Sequence, residues 1–177
     1  HLPTYCRAYF SAHGSSLDVM APGQNIHLLD RFNEYEFSHG TSLAAPYVSG
    51  IAALILSVNP NLTREEVTNI IEITAQRVGD YDYAIENGYP NGKWHNEMGY
   101  GLVDAYAAVL AAQPKYIQNQ VYQSGQELYE YAPEITAGYA VTDSKTHGDV
   151  VLEAGSDVTL RGMDRVVLKP GFHAKAG

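Results

Sequence analysis

The chain contains the sequence Gly40-Thr41-Ser42-Leu43-Ala44-Ala45-Pro46, and the apolar run Tyr47-Val48-Ser49-Gly50-Ile51-Ala52-Ala53-Leu54-Ile55-Leu56 follows it directly. No charged residue occurs between Leu43 and Val58, and the run is too long for one strand. The pattern predicts a buried helix with Ser42 at its N-terminus. Pro46 is compatible with this helix, because a proline N–H in the first turn would have had little or no intrahelical partner.

Ser42 is the candidate functional residue of this stretch. The unpaired N–H groups and the positive dipole end of a helix N-terminus favour an oxyanion that develops beside the serine. A serine hydroxyl is a weak nucleophile, however, and needs a base such as a histidine from elsewhere. Gly-Thr-Ser alone is typical of a turn and a helix N-cap, so the surrounding residues must carry a chemical interpretation.

The stretch resembles the active-serine motif of the subtilisin-like serine proteases (subtilases), whose usual form is Gly-Thr-Ser-Met-Ala-(Ala/Ser)-Pro-His-Val-(Ala/Ser)-Gly. Leu43 and Tyr47 stand where Met and His are common, and neither position is catalytic in the family. The resemblance implies that Ser42 is the nucleophile. It also implies that Gly40 and Thr41 support the turn and the oxyanion site.

Two further stretches resemble the same family in the same order. Leu17-Asp18-Val19-Met20-Ala21-Pro22-Gly23 matches the Asp-Val-x-Ala-Pro-Gly segment that precedes the active serine. Gly99-Tyr100-Gly101-Leu102-Val103-Asp104-Ala105 resembles the Gly-x-Gly-x-(Val/Ile)-(Asp/Asn)-Ala signature at the end of the catalytic domain. The implied fold is α/β, the C-terminal portion of a subtilisin-like three-layer parallel-sheet domain, over residues 1–113.

Local patterns predict the elements between these motifs. Residues 24–38 alternate apolar and polar side chains around a polar centre, which predicts a hairpin with Asp30 and Glu34 as solvated turn carboxylates. Thr63 and Glu66 form a capping-box pattern, and an amphipathic helix is expected to begin there.

After Pro114 the pattern becomes strand-like. Asp149-Val150-Val151-Leu152, Asp157-Val158-Thr159-Leu160 and Arg165-Val166-Val167-Leu168 recur every eight residues, with Gly155, Gly162 and Gly171 as expected turns. This predicts a small all-β, solenoid-like repeat module over residues 114–177, incomplete in this chain. Residues 168–177 resemble, more weakly, glycine-punctuated repeats at the C-termini of secreted bacterial proteins. That resemblance implies secretion or a cell-surface location, and surface or protein contacts for the module.

The remaining histidines and possible calcium ligands are predicted to have no catalytic or metal-binding role. His13 lies in a loop and His39 at a strand end, whereas the family's catalytic histidine lies far upstream of the serine. Asp80, Asp82 and Asn91 have no spacing of a known calcium loop, which favours a metal-free surface loop. His147 and His173 are expected at the surface. No cofactor is expected in this chain, and the resemblance leaves calcium open for the rest of the domain.

Composition excludes several classes of function. The net charge of −9 and the absence of a basic cluster argue against binding to nucleic acid or to an anionic membrane. The single Cys6 cannot form an intrachain disulfide. The apolar run is shorter than the roughly 20 residues of a membrane span, so no span is expected. The N-terminus shows no signal peptide, and the chain is expected to be an interior piece of a longer one.

The sequence therefore favours a serine endopeptidase that acts on protein or peptide substrates. Its catalytic Asp, His and oxyanion Asn are expected upstream, so this piece alone is expected to be inactive. The alternative is an inactive relative that serves as a secreted or cell-surface binding scaffold. An α/β-hydrolase esterase fits poorly, because residues 40–44 lack the second glycine of Gly-x-Ser-x-Gly.

Overall fold

The computed structural model describes residues 5–175 of the chain. The chain divides into two compact units, His1–Leu110 and Ala111–Gly177.

A hairpin is the first regular element of the first unit. Strands β1 (Ile26–Leu29) and β2 (Tyr35–Ser38) are antiparallel, with Ile26 opposite Ser38. Asp30 shapes the turn, because its Oδ1 accepts hydrogen bonds from the backbone N–H groups of Phe32 (2.8 Å) and Glu34 (3.0 Å). The predicted hairpin, with Asp30 as a turn carboxylate, is confirmed.

Helix α1 (Thr41–Val58) follows the hairpin and begins beside the serine, as predicted, but Pro46 is its sixth residue and lies beyond the first turn in which it was expected. The prediction that it is buried is wrong for this chain: Ile51 and Ile55 are buried, whereas Leu54 is 50% exposed. The helix contacts α2, and much of its largely apolar surface stays exposed. By length and composition α1 could also cross a membrane, a property that core helices of soluble proteins share.

Helix α2 (Arg64–Thr74) begins with the predicted capping box. The backbone N–H of Glu66 donates to Thr63 Oγ1 (3.3 Å), and the backbone N–H of Thr63 donates to Glu66 Oε2 (2.6 Å). Its buried face consists of Val67, Ile70 and Ile71, as the spacing of apolar residues predicts. The helix is therefore encoded locally, by its cap and its apolar stripe.

The glycine-rich segment before α3 (Ala105–Ala111) forms backbone bridges with two other segments. Leu102 forms a parallel bridge with Met20 and an antiparallel bridge with Gln76. Asp104 directly precedes helix α3, and its Oδ1 accepts the backbone N–H of Ala107 at 2.9 Å. This hydrogen bond lowers the pKa of Asp104, so the carboxylate stays charged to a more acidic pH than a free aspartate does.

The second unit contains two three-stranded parallel sheets. One has the order β3 (Lys115–Ile117), β5 (Glu127–Ala137), β7 (Asp157–Leu168), and the other has β4 (Gln120–Tyr122), β6 (Val150–Leu152), β8 (Phe172–Ala174). Apolar side chains from both sheets form its core, with Tyr122, Leu160 and Phe172 packed against Ile117, Ala132, Ile135, Ala137 and Val150.

The eight-residue strand-and-turn unit predicted for this region is partly wrong. Gly155 and Gly171 lie outside the strands, but Gly162 lies within β7, which continues from Asp157 to Leu168. The register between β5 and β7 shifts between Ala132 and Glu134, opposite Gly162 and Arg165. A β-bulge therefore stands where a turn was predicted, because one inserted residue bends a strand without ending it.

Gln118 organises the loop between β5 and β6. Gln118 is buried, with only 3% of its surface exposed. Nε2 donates to the carbonyl oxygens of Thr142 (3.0 Å), Lys145 (2.9 Å) and Thr146 (3.1 Å). Oε1 accepts the backbone N–H groups of Val141 (2.9 Å) and Thr142 (3.0 Å). One side-chain amide thus pairs with five backbone groups of the loop.

Gln118→Glu is expected to lower the free energy of unfolding by about 2–3 kcal/mol at neutral pH, because a carboxylate would face three carbonyl oxygens in place of a donor. The loss should shrink at acid pH, where the protonated carboxyl regains one O–H donor. Gln120→Glu is the matched control at an exposed position two residues away. Urea unfolding of both variants measures the difference, and equal losses would contradict this role for Gln118.

Candidate active site

Ser42 is the second residue of α1 and is exposed to solvent. Gly40 is the N-cap residue in an extended conformation, and no side chain caps the helix there. The backbone N–H of Leu43 donates to the Gly40 carbonyl at 3.1 Å, which closes the turn around the serine. The hydroxyl is therefore presented at a helix N-terminus whose dipole favours negative charge.

Gly40 and Thr41 shape the space beside this hydroxyl. A Cβ on residue 40 would lie 3.2 Å from Ser42 Oγ, so only glycine leaves the hydroxyl uncrowded on that side. Thr41 lines an open cavity of about 620 Å³ together with Phe10, Pro22, Ala44, Val48 and Met98. The lining is mostly apolar, which suits packing against further protein more than acid–base chemistry.

The two candidate histidines, His39 and His13, make contacts elsewhere. His39 follows the hairpin, and its ring centroid lies 5.8 Å from that of Phe10. His13 is exposed, with Nδ1 3.5 Å from Asn96 Nδ2. Within residues 5–175 no histidine or carboxylate is hydrogen-bonded to Ser42. The structure thus brings Gly40, Thr41 and Ser42 together and adds no base to them.

These observations define a serine at a helix N-terminus without its base, within segments that match three motifs in order. A family model described as the subtilase family matches residues 5–101, which is more than half of the chain. The chain belongs to the subtilase family. This confirms the family predicted from the serine motif and from the two flanking motifs.

Individual subtilases match the chain over shorter or longer parts. It is 46% identical to subtilisin DY of Bacillus licheniformis over 77 residues, which is 44% of this chain and 28% of that protein. It is 31% identical to the extracellular basic protease of Dichelobacter nodosus over 178 aligned positions, covering 86% of this chain and 28% of that protein. The chain thus spans less than a third of the length of these relatives.

A solved structure of a protease from Pseudoalteromonas arctica PAMC 21717 is also similar. Its sequence identity to the chain is 33%, and the superposition has a TM-score of 0.46. The similarity covers 60% of this chain and 32% of that protein.

A polar cluster in the first unit has no counterpart in the sequence predictions. Asn91, assigned from sequence to a surface loop, is buried, and its Nδ2 donates to Asn69 Oδ1 and Glu72 Oε2, both at 2.7 Å. Burial raises the pKa of Glu72, although the hydrogen bond from Asn91 opposes the shift. The Asn91 amide therefore ties its loop to α2, and nothing in the local sequence pattern indicated that pairing.

Proposed function

We propose that this chain is the C-terminal part of a serine endopeptidase catalytic domain, followed by a β-rich accessory module. The observation that carries the proposal is Ser42, exposed at the uncapped N-terminus of α1 within the subtilase match. The domain division proposed is 1–113 and 114–177. Protein or peptide substrates are proposed because the relatives above are named as proteases and subtilisins.

In the proposed mechanism Ser42 Oγ attacks the carbonyl carbon of the scissile peptide bond. A histidine upstream of this chain takes the hydroxyl proton and later gives it to the leaving amine, oriented by an upstream Asp. The backbone N–H of Ser42 donates to the oxyanion, and an upstream Asn completes the site. Gly40 and Thr41 hold the turn that presents these groups. This chemistry needs no cofactor.

We also propose that α1 is a helix of the folded domain and not a membrane span. Its sequence carries the family's serine motif, it buries Ile51 and Ile55, and it contacts α2. Secretion is proposed because one relative is an extracellular protease. For the second unit we propose an accessory role in surface or protein contacts, supported by the separate apolar core of that unit.

Fluorophosphonate labelling of the full-length protein tests the enzymatic proposal. We expect one labelled peptide containing Ser42, because a fluorophosphonate modifies only a serine activated by its base. Ser42→Ala and the isolated 177-residue chain are expected to remain unlabelled. Absence of label on folded full-length protein would contradict the proposal and favour a binding scaffold that has lost its catalytic partners.

A further inference from the structure

The loop before the hairpin contacts the serine turn directly. The backbone N–H of Gly40 donates to the carbonyl of Gly23 at 2.8 Å. Gly40 is also the N-cap of α1, and its own carbonyl accepts the N–H of Leu43 at 3.1 Å. The two hydrogen bonds connect Gly23, through Gly40, to the turn that contains Ser42.

Residue 23 has little room for a side chain beside the Gly40 carbonyl. A Cβ built there would lie 3.0 Å from the Gly40 carbonyl oxygen and 3.3 Å from Ala44 Cβ. The distance to Ala44 Cβ is shorter than the roughly 3.5–4.0 Å at which carbon–carbon contacts are favourable, and the distance to the Gly40 oxygen is also tight for a Cβ contact. The Gly23 backbone does not adopt the left-handed region, so alanine would suffer from the contact and not from backbone strain.

We propose that Gly23 is a positioning residue for the nucleophile, a role that rests on the function proposed above. It lets the loop approach closely enough to hold Gly40, and Gly40 in turn fixes the place of Ser42 Oγ at the start of α1. A methyl group at residue 23 would push on the Gly40 carbonyl by a few tenths of an ångström. Catalysis is sensitive to such shifts, since a displacement of about 1 Å can cost about 100-fold in rate.

The test compares Gly23→Ala with wild type in the full-length protein. We expect kcat per titrated active site to fall about 10-fold, with KM within about twofold, because the nucleophile moves while the substrate pockets stay in place. A purely structural role would reduce the number of titratable sites and leave kcat per site unchanged. Gln24→Ala, a substitution at the next and exposed residue, should leave both constants unchanged.

A double variant keeps the test decisive if Gly23→Ala folds poorly. Gly23→Ala/Ala44→Gly removes the 3.3 Å contact but keeps the 3.0 Å contact with the Gly40 carbonyl. The double variant should fold and still show the reduced kcat. A kcat restored to the wild-type value would overturn the proposal that Gly23 acts on Ser42 through Gly40. If wild type is labelled and Gly23→Ala has wild-type kcat, this inference alone fails. An unlabelled wild type overturns the proposed function, and this inference with it.

Discussion

Ser42→Ala is expected to lower kcat of the full-length protein by about 10⁶-fold, the size of the loss when subtilisin, a relative of this chain, loses its serine nucleophile. KM should change little, because the hydroxyl contributes to bond making and not to holding the substrate. Ser42 lies at the N-terminus of α1, and in the mechanism proposed above it supplies both the attacking oxygen and one N–H donor to the oxyanion. Hydrolysis of a chromogenic peptide, corrected for the uncatalysed rate, measures the loss.

Ser49→Ala is the matched control for this prediction. Ser49 lies on the same helix, is exposed, and donates its hydroxyl to the Ala45 carbonyl at 3.3 Å. Its removal should leave kcat within about twofold, because that hydroxyl already bonds within its own helix and surface substitutions of this kind are close to neutral. Similar activity of Ser42→Ala and wild type would mean that the observed hydrolysis does not depend on Ser42.

Local signals were sufficient to predict the elements around the site. The turn at Asp30, the cap at Thr63 and the apolar stripe of α2 each depend on residues within a few positions of one another. Their hydrogen bonds appear in the structure as the spacing predicts. The same locality explains why the sequence alone predicts Ser42 at a helix N-terminus.

Contacts between distant segments were not predictable in this way. Gly23 and Gly40 are joined by a backbone hydrogen bond, and a backbone group leaves no mark in side-chain patterning. The Asn91 amide pairs with a carboxylate on α2, a choice that only the folded loop determines. The prediction that α1 is buried was wrong for a related reason. An apolar helix surface indicates that some other segment should cover the helix, but it does not indicate which segment does so.

The second unit shows a different limit. Its eight-residue recurrence is present in the sequence, but strand β7 contains two of the recurring segments in one continuous strand. A glycine between two apolar segments is compatible with a turn or with a bulge, and the pattern alone cannot distinguish them. The pairing with β5 decides in favour of the bulge, and that pairing joins residues 30 positions apart, as for Glu127 and Asp157.

Gly101→Ala is expected to lower the free energy of unfolding of the full-length protein by about 3–5 kcal/mol. Gly101 has φ +131°, and a Cβ there would lie 2.2 Å from the Gln76 carbonyl oxygen. That carbonyl cannot move away freely, because it accepts the N–H of Leu102 at 2.8 Å while the Gln76 N–H donates to Leu102 at 2.7 Å. The substitution must therefore break or distort the pair of backbone hydrogen bonds between Gln76 and Leu102.

Gly92→Ala separates the two causes of that loss. Gly92 has a similar φ of +122°, but a Cβ there would have no neighbour within 4 Å. Gly92→Ala should lower the free energy of unfolding by about 1–2 kcal/mol, which is the loss expected from backbone strain alone. Urea unfolding of both variants gives the contact energy as the difference. If the two losses were equal, the glycine at residue 101 would be required only for its dihedral angles, and the close approach to Gln76 would contribute nothing to stability.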